Sequence, residues 1–273
     1  MIPAGREFYK MSGSGNDFVF VDARREPPGR LDDPAVIQAV CARGPGVGAD
    51  GIVFLEPSTA ASVRLRYLNS DGSVAALCGN ATLCTARLFV ELGGAAVGQP
   101  FAIETAAGVL GAVMHAHGPT VDMPAVQGLT PDTGTALQAG ERRAAFAQVG
   151  IPHLVILCDD LEAVDVVGRG RPLRFDPAFA DGTNVDFVGQ DQDGRWHMRT
   201  YERGVEGETL ACGTGAVASA VVLDRWGLAP AGGTIVTRSG KELAVGVRTE
   251  AGRILPTLTG EARVVYRGFL AEI

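Results

Sequence analysis

The sequence predicts a mixed α+β chain of two pseudo-symmetric halves, each a sheet wrapped around one buried helix. Three observations carry that reading. Short strand patterns outnumber helical ones along the 273 residues. The segment after Cys212 (Ala216, Val217, Ala218, Ala220, Val221, Val222, Leu223) is apolar nearly all round, and a helix without a polar face is buried. The chain also repeats itself weakly. Gly15-Asn16-Asp17-Phe18-Val19 resembles Thr183-Asn184-Val185-Asp186-Phe187-Val188, and Leu77-Cys78-Gly79-Asn80-Ala81 resembles Ala211-Cys212-Gly213-Thr214-Gly215.

In chain order, Asp17–Asp22 and Ile52–Glu56 read as short buried strands. Val63–Leu68 alternates Val63, Leu65 and Tyr67 inward against Arg64 and Arg66 outward. Phe101–Thr105 and Val109–Met114 form a hairpin around Ala107-Gly108, and His153–Leu157, Asn184–Val188 and Trp196–Tyr201 continue the strands. Helices are expected at Pro34–Ala42, capped by Asp32 and Asp33, and at Asn80–Leu92, stopped by Gly93-Gly94. A third runs over Gly213–Trp226 and stops at Gly227. The halves are expected at 1–117 and 118–261, divided near His117-Gly118-Pro119, with residues 262–273 returning to the first half.

Composition narrows the function. The chain is 46% hydrophobic with net charge -7, and it has no Lys/Arg block, so a nucleic-acid partner is not expected. The longest apolar run, Ala216–Leu223, is far too short to span a bilayer, and Met1–Met11 lacks the apolar stretch of a secretory signal. Five scattered cysteines (Cys41, Cys78, Cys84, Cys158, Cys212) suit a reducing cytoplasm better than a disulfide framework. The only lysines are Lys10 and Lys241, so a Schiff base has few candidates. A homodimer is compatible with the sequence.

Cys78 and Cys212 are the chemical signal. Each precedes a glycine and the first turn of a helix. A helix start offers free N–H groups and partial positive charge, which favours a thiolate and cradles an anion. The glycine lets a substrate oxygen approach the backbone closely. A carboxylate held by two such cradles would place its α-carbon between two sulfurs, one removing a proton from one face and the other returning a proton to the opposite face. The N–H groups would stabilise charge developing on the carboxylate. Cys41, Cys84 and Cys158 read instead as small buried hydrophobes.

Other signals are weaker. Gly46-Val47-Gly48-Ala49-Asp50-Gly51 matches GxGxxG but follows a helix rather than a strand, which argues against a dinucleotide. No CxxC occurs, and the four histidines (His115, His117, His153, His197) are not clustered with the cysteines, so no metal is expected. His115 and His117 sit at strand spacing and are expected to face solvent.

Several segments resemble diaminopimelate epimerases: Phe8 to Phe18 with its Gly-Asn-Asp, Gly48-Ala49-Asp50-Gly51, Asn69-Ser70-Asp71-Gly72-Ser73, and Cys78-Gly79-Asn80-Ala81. Gly150-Ile151-Pro152-His153, Gly182-Thr183-Asn184, and Tyr201-Glu202-Arg203-Gly204 running to Cys212-Gly213-Thr214-Gly215 continue the likeness. The resemblance implies two pseudo-symmetric domains, each a curled, mostly antiparallel sheet around a central helix, with the active site in the cleft. It implies interconversion of LL- and meso-diaminopimelate, in lysine and peptidoglycan precursor biosynthesis, without pyridoxal phosphate or metal. On that basis Cys78 and Cys212 are the acid–base thiols. Gly79, Asn80, Gly213 and Thr214 grip the reacting carboxylate, and Asn16, Asn69, Asn184 and Arg203 hold the other polar groups. His153 and Glu202 tune the thiols, Glu202 also receiving an ammonium group.

Three positions depart from the family pattern. Ile151 stands where many members have a substrate-contacting Asn, Leu83 where some have Arg, and Gly51 where some have Gln. The competing readings are a racemase of another amino acid on the same fold, a dithiol redox protein, and a non-catalytic amino-acid binding module.

Overall fold

The computed structural model describes residues 5–271. The chain divides into two units. One runs to Val121 and takes up the chain again from Gly260, and the other covers Asp122–Thr259. The first thus includes Gly118–Val121, because that segment continues a hairpin with the strand before it.

The first unit contains β1 (Arg6–Gly13), β2 (Asn16–Asp22), α1 (Pro34–Cys41), β3 (Gly51–Glu56), β4 (Val63–Asn69) and α2 (Gly79–Glu91). It continues with β5 (Pro100–Thr105), β6 (Gly108–His115) and β7 (Gly118–Asp122). The second contains β8 (Gln127–Thr130), β9 (Glu141–Val149), β10 (Ile151–Cys158), α3 (Val166–Arg174), β11 (Asn184–Gln190) and β12 (Trp196–Glu202). It continues with β13 (Gly207–Thr209), α4 (Gly213–Arg225), β14 (Gly233–Val236), β15 (Glu242–Glu250) and β16 (Arg253–Gly260). The last strand, β17 (Ala262–Leu270), pairs antiparallel with β1 of the first unit.

Strand pairing exposes the repeat. Along β1, β2, β3, β4, β5 and β6 the neighbours alternate antiparallel, parallel, antiparallel, parallel, antiparallel. Along β9, β10, β11, β12, β14 and β15 the same alternation recurs. In each unit a short helix links the first parallel pair and a longer, buried helix links the second. The Cys-Gly match therefore holds, but β2 corresponds to β10 rather than to β11. The likeness of Gly15–Val19 to Thr183–Val188 pairs segments with different places in the sheet.

Each sheet is covered on both faces, which is why its central strands are apolar at successive positions. Val19, Val21, Ile52, Phe54 and Leu68 pack with Ile37 and Val40 of α1. Leu154, Ile156, Val185, Phe187 and Tyr201 pack with Val166 and Leu173 of α3. The alternate residues face the longer helices α2 and α4. Every residue of α4 from Gly213 to Leu223 is buried, and α4 touches β9, β10, β11, β12, β14 and β15.

Two local expectations change. The side chain of Asp33 caps α1 by accepting the Ala35 N–H at 2.9 Å, whereas Asp32 pairs with Arg66. Helix α3 was not legible: Val-Val-Gly-Arg-Gly-Arg-Pro-Leu-Arg is a poor helical sequence. Tertiary contact sustains it. Asp165 caps Gly168 N at 2.9 Å, and Gly170 lies so close to Tyr201 that a Cβ there would fall 2.5 Å from the Tyr201 side chain. Among the described residues no helix is long and apolar enough to cross a membrane.

Candidate active site

Cys78 and Cys212 are the N-cap residues of α2 and α4, with φ −136°, ψ 113° and φ −133°, ψ 109°. Both are extended, as an N-cap requires, so the first free N–H groups of each helix open beside the sulfur.

Around Cys78, Asn80 donates from Nδ2 to Asn16 Oδ1 at 2.6 Å, and Asn16 donates in turn to Asp50 Oδ2 at 3.0 Å. Asp50 also takes the Asp17 N–H and Arg43. Asn80 is buried, and its Oδ1 has no hydrogen-bond partner among the described residues. Asn69, at the end of β4, donates to Ser73 Oγ at 3.0 Å. Gly51 opens β3 where a Cβ would meet Leu68 O at 2.4 Å and the Tyr67 ring at 2.5 Å, so no side chain is accommodated there.

Around Cys212 lies a second polar cluster. Its Sγ lies 3.5 Å from Thr214 Oγ1. His153 Nδ1 is 2.7 Å from Asp186 Oδ2, and Thr200 Oγ1 donates to Asp186 Oδ1 at 2.7 Å. A ring nitrogen of His153, a carboxylate oxygen of Asp186 and the Cys212 sulfur all lie within 4.8 Å of one another. His153, 59 residues (212 − 153) before Cys212 in the chain, is thus beside it in space. Nδ1 and both Asp186 oxygens are already engaged. His153 Nε2 and Cys212 Sγ remain, fewer donors than a zinc site uses.

Burial pushes the Cys212 thiol well above the ordinary range, with Glu202 and Asp186 adding to the rise. The Thr214 hydroxyl and the Gly215 N–H pull the other way without prevailing. This runs against the expectation from the helix start alone: burial is the leading cause, and two carboxylates add to it.

Asn184 makes two structural hydrogen bonds. Its Nδ2 donates to Pro152 O at 3.0 Å and its Oδ1 accepts the Arg203 N–H at 2.9 Å, so it ties the starts of β10 and β11 to the end of β12. Arg203 spends one guanidinium nitrogen on Asp181 O at 2.9 Å and has no carboxylate partner among the described residues. The surface ion pair with Glu202 that its position in the sequence allows is not formed.

The diaminopimelate epimerase family model matches residues 8–128 and 145–269. The chain belongs to the diaminopimelate epimerase family. The diaminopimelate epimerase of Gemmatimonas aurantiaca is 48% identical over 97% of this chain and 99% of its own length. That of Archaeoglobus fulgidus is 40% identical over 96% and 95% respectively. A Bacillus anthracis phenazine biosynthesis protein of the PhzF family shares the fold, with TM-score 0.74 at 14% identity over 97% of this chain and 98% of its own.

The strand registers align the two halves of this family member residue by residue. Phe18 pairs with Gly51 as His153 pairs with Asn184, and Gly51 faces Asn69. Extending the β11–β12 register by one residue sets Asn184 opposite Glu202. Asn16 therefore corresponds to Ile151, Asn69 to Glu202, Asn80 to Thr214 and Gly51 to Asn184. Each of Asn16 and Ile151 follows a positive-φ glycine, Gly15 at 117° and Gly150 at 71°. The unusual Ile151 is thus the second-half counterpart of Asn16. Asp186 and Thr200 escaped the sequence reading. The signal for Asp186 was a charged residue inside an otherwise apolar strand, Asn-Val-Asp-Phe-Val.

Proposed function

We propose that the chain interconverts LL- and meso-diaminopimelate by two-base proton transfer at the α-carbon, with Cys78 and Cys212 acting on opposite faces. The observation that carries the mechanism is the shared backbone state of the two cysteines, each N-capping a buried helix behind a Cys-Gly step. Named relatives that match nearly the whole chain support the substrate.

In this reading the N–H groups at the two helix starts bind the reacting carboxylate and stabilise the charge that develops when the α-proton leaves. Gly79, Asn80, Gly213 and Thr214 form the cradles. The open Asn80 Oδ1 accepts from an ammonium group, as does Glu202, and Asn16 orients Asn80. Arg203 grips the distal carboxylate in its unfilled fork. Asn69 and Asn184 shape the walls through their own hydrogen bonds. One cysteine begins as thiolate and takes the α-proton; the other begins as thiol and gives one to the opposite face. Both sulfurs end with exchanged protonation, and the α-carbon is inverted. Lys10 is buried against Asp17 and the Gly48 carbonyl, which fits chemistry without an imine.

Turnover of LL-diaminopimelate beside proline, hydroxyproline and glutamate tests this. Inversion of diaminopimelate alone supports the reading; inversion of another amino acid in its place overturns the substrate assignment.

A further inference from the structure

The two halves differ in one buried layer. At the three matched positions beneath the central helices, the first half has Phe18, Val53 and Tyr67, whereas the second has His153, Asp186 and Thr200. Phe18 and Val53 are sealed apolar residues, and Phe18 packs edge-on against Tyr67 at 5.7 Å. The second set is equally sealed, with His153 and Asp186 both 0% exposed, yet it carries an ionisable pair. Burying such a pair is costly unless every polar atom is used. Asp186 uses both oxygens. His153 does not: its Nε2 is buried and has no hydrogen-bond partner among the described residues. Space was also kept for Asp186. A Cβ on Gly215 would fall 2.5 Å from Asp186 Oδ1, and the matching position in the first helix is Ala81.

We propose that Asp186 is a positioning residue that fixes His153 as the Nδ1–H tautomer, leaving Nε2 as the acceptor for the Cys212 proton. The inference rests on the two-thiol reading above. The proton passes from Cys212 Sγ to His153 Nε2; sulfur keeps the electron pair, the ring becomes imidazolium, and Asp186 stays a carboxylate throughout. The cluster carries one negative charge before and after, so a thiolate forms without adding net charge to a dry site. A His153 ring nitrogen lies within 4.8 Å of the Cys212 sulfur, and Nε2 makes no hydrogen bond to it, so the proposed transfer requires rotation of Cys212 about its Cα–Cβ bond or one bridging water. The titratable groups facing Cys212 are His153 from β10, Asp186 from β11 and Glu202 from β12, with the Thr214 hydroxyl on α4. Cys78 has no counterpart of this pair at the matched positions, so the two thiols are not equivalent.

The test reads Cys212 directly and does not depend on the substrate. In a Cys78→Ala background, iodoacetamide labelling of Cys212 is followed by peptide mass spectrometry from pH 6 to 10. A purely electrostatic Asp186 would hold the thiol proton, so Asp186→Asn would speed labelling. The proposal expects the opposite sign: labelling near neutral pH slows roughly 10-fold, and Asp186→Glu restores part of it. With His153→Gln already in place, Asp186→Asn should no longer slow the reaction. In the Cys78-containing enzyme the same change should lower kcat roughly 10- to 100-fold with KM little altered. Should Asp186→Asn not fold, the native protein decides: 15N shifts must give His153 as Nδ1–H with a bare Nε2. An Nε2–H tautomer, or faster labelling in Asp186→Asn, overturns the proposal. Slow labelling without diaminopimelate turnover would leave the relay standing and sink the substrate assignment instead.

Discussion

Cys78 and Cys212 hold backbone angles that agree within a few degrees, although 134 residues (212 − 78) separate them in the chain. Each presents a sulfur at the start of a buried helix. If each carries one face of the reaction, neither can stand in for the other. Cys78→Ala and Cys212→Ala should each lower kcat at least about 100-fold, the usual contribution of a positioned acid or base. Steady-state racemisation assays on both variants check this, and normal turnover in either counts against the pairing. A dithiol redox protein would instead cycle through a disulfide, whereas here oxidation should only inactivate.

Arg203 offers a guanidinium that no carboxylate neutralises among the described residues. Arg203→Ala should raise KM and lower kcat/KM about 10- to 100-fold, the scale of one or two charge-assisted hydrogen bonds. Arg203→Lys should recover little, because an ammonium cannot form the bidentate fork. Full recovery with lysine would show that charge alone suffices.

Gly215 is tight for a different reason. Its place is helical, so alanine brings no backbone strain, but the added methyl would press on Asp186 Oδ1. Gly215→Ala should cost about 1–3 kcal/mol of stability from overpacking and lower kcat more than it changes KM. Denaturant titration beside kinetics separates the two effects. Unchanged stability and turnover would mean that Asp186 moves freely.

Buried thiols give a pH dependence with a definite sign. Burial pushes Cys41 up to about 11 and Cys158 up to about 12, and it raises Cys84 well above 9.0. A thiol raised by folding stays neutral while the unfolded chain ionises, so its stabilising share is intact below pH 9 and is lost as pH rises towards the folded value. Each such cysteine should cost about 1.4 kcal/mol per pH unit in that window. Urea midpoints at pH 8 and 10 should fall accordingly, and Cys158→Ala should flatten the slope. A midpoint independent of pH there would contradict the burial of these thiols.

Much of this was legible in the sequence because the strongest signals were local. The all-apolar run after Cys212 announced a buried helix, and two Cys-Gly steps announced matching helix starts. What escaped depended on contacts made at a distance. Helix α3 contains Gly168, Gly170 and Pro172, and it survives through Asp165 and a close fit to Tyr201. Strands β14 to β17 carry exposed or charged residues at many positions, which blurs the two-residue period. The His153–Asp186 pair joins two parallel strands 33 residues apart, and no spacing rule reveals such a pair. The repeat itself was visible but misaligned, because short Asn-containing turns look alike wherever a strand begins.

The most direct measurement is epimerisation of LL-diaminopimelate by purified, metal-stripped protein in D2O with no pyridoxal phosphate added. Two thiols on opposite faces predict meso product that carries deuterium at the inverted α-carbon before recovered substrate acquires any. Equal early labelling of both, or no meso product, would contradict the two-base mechanism.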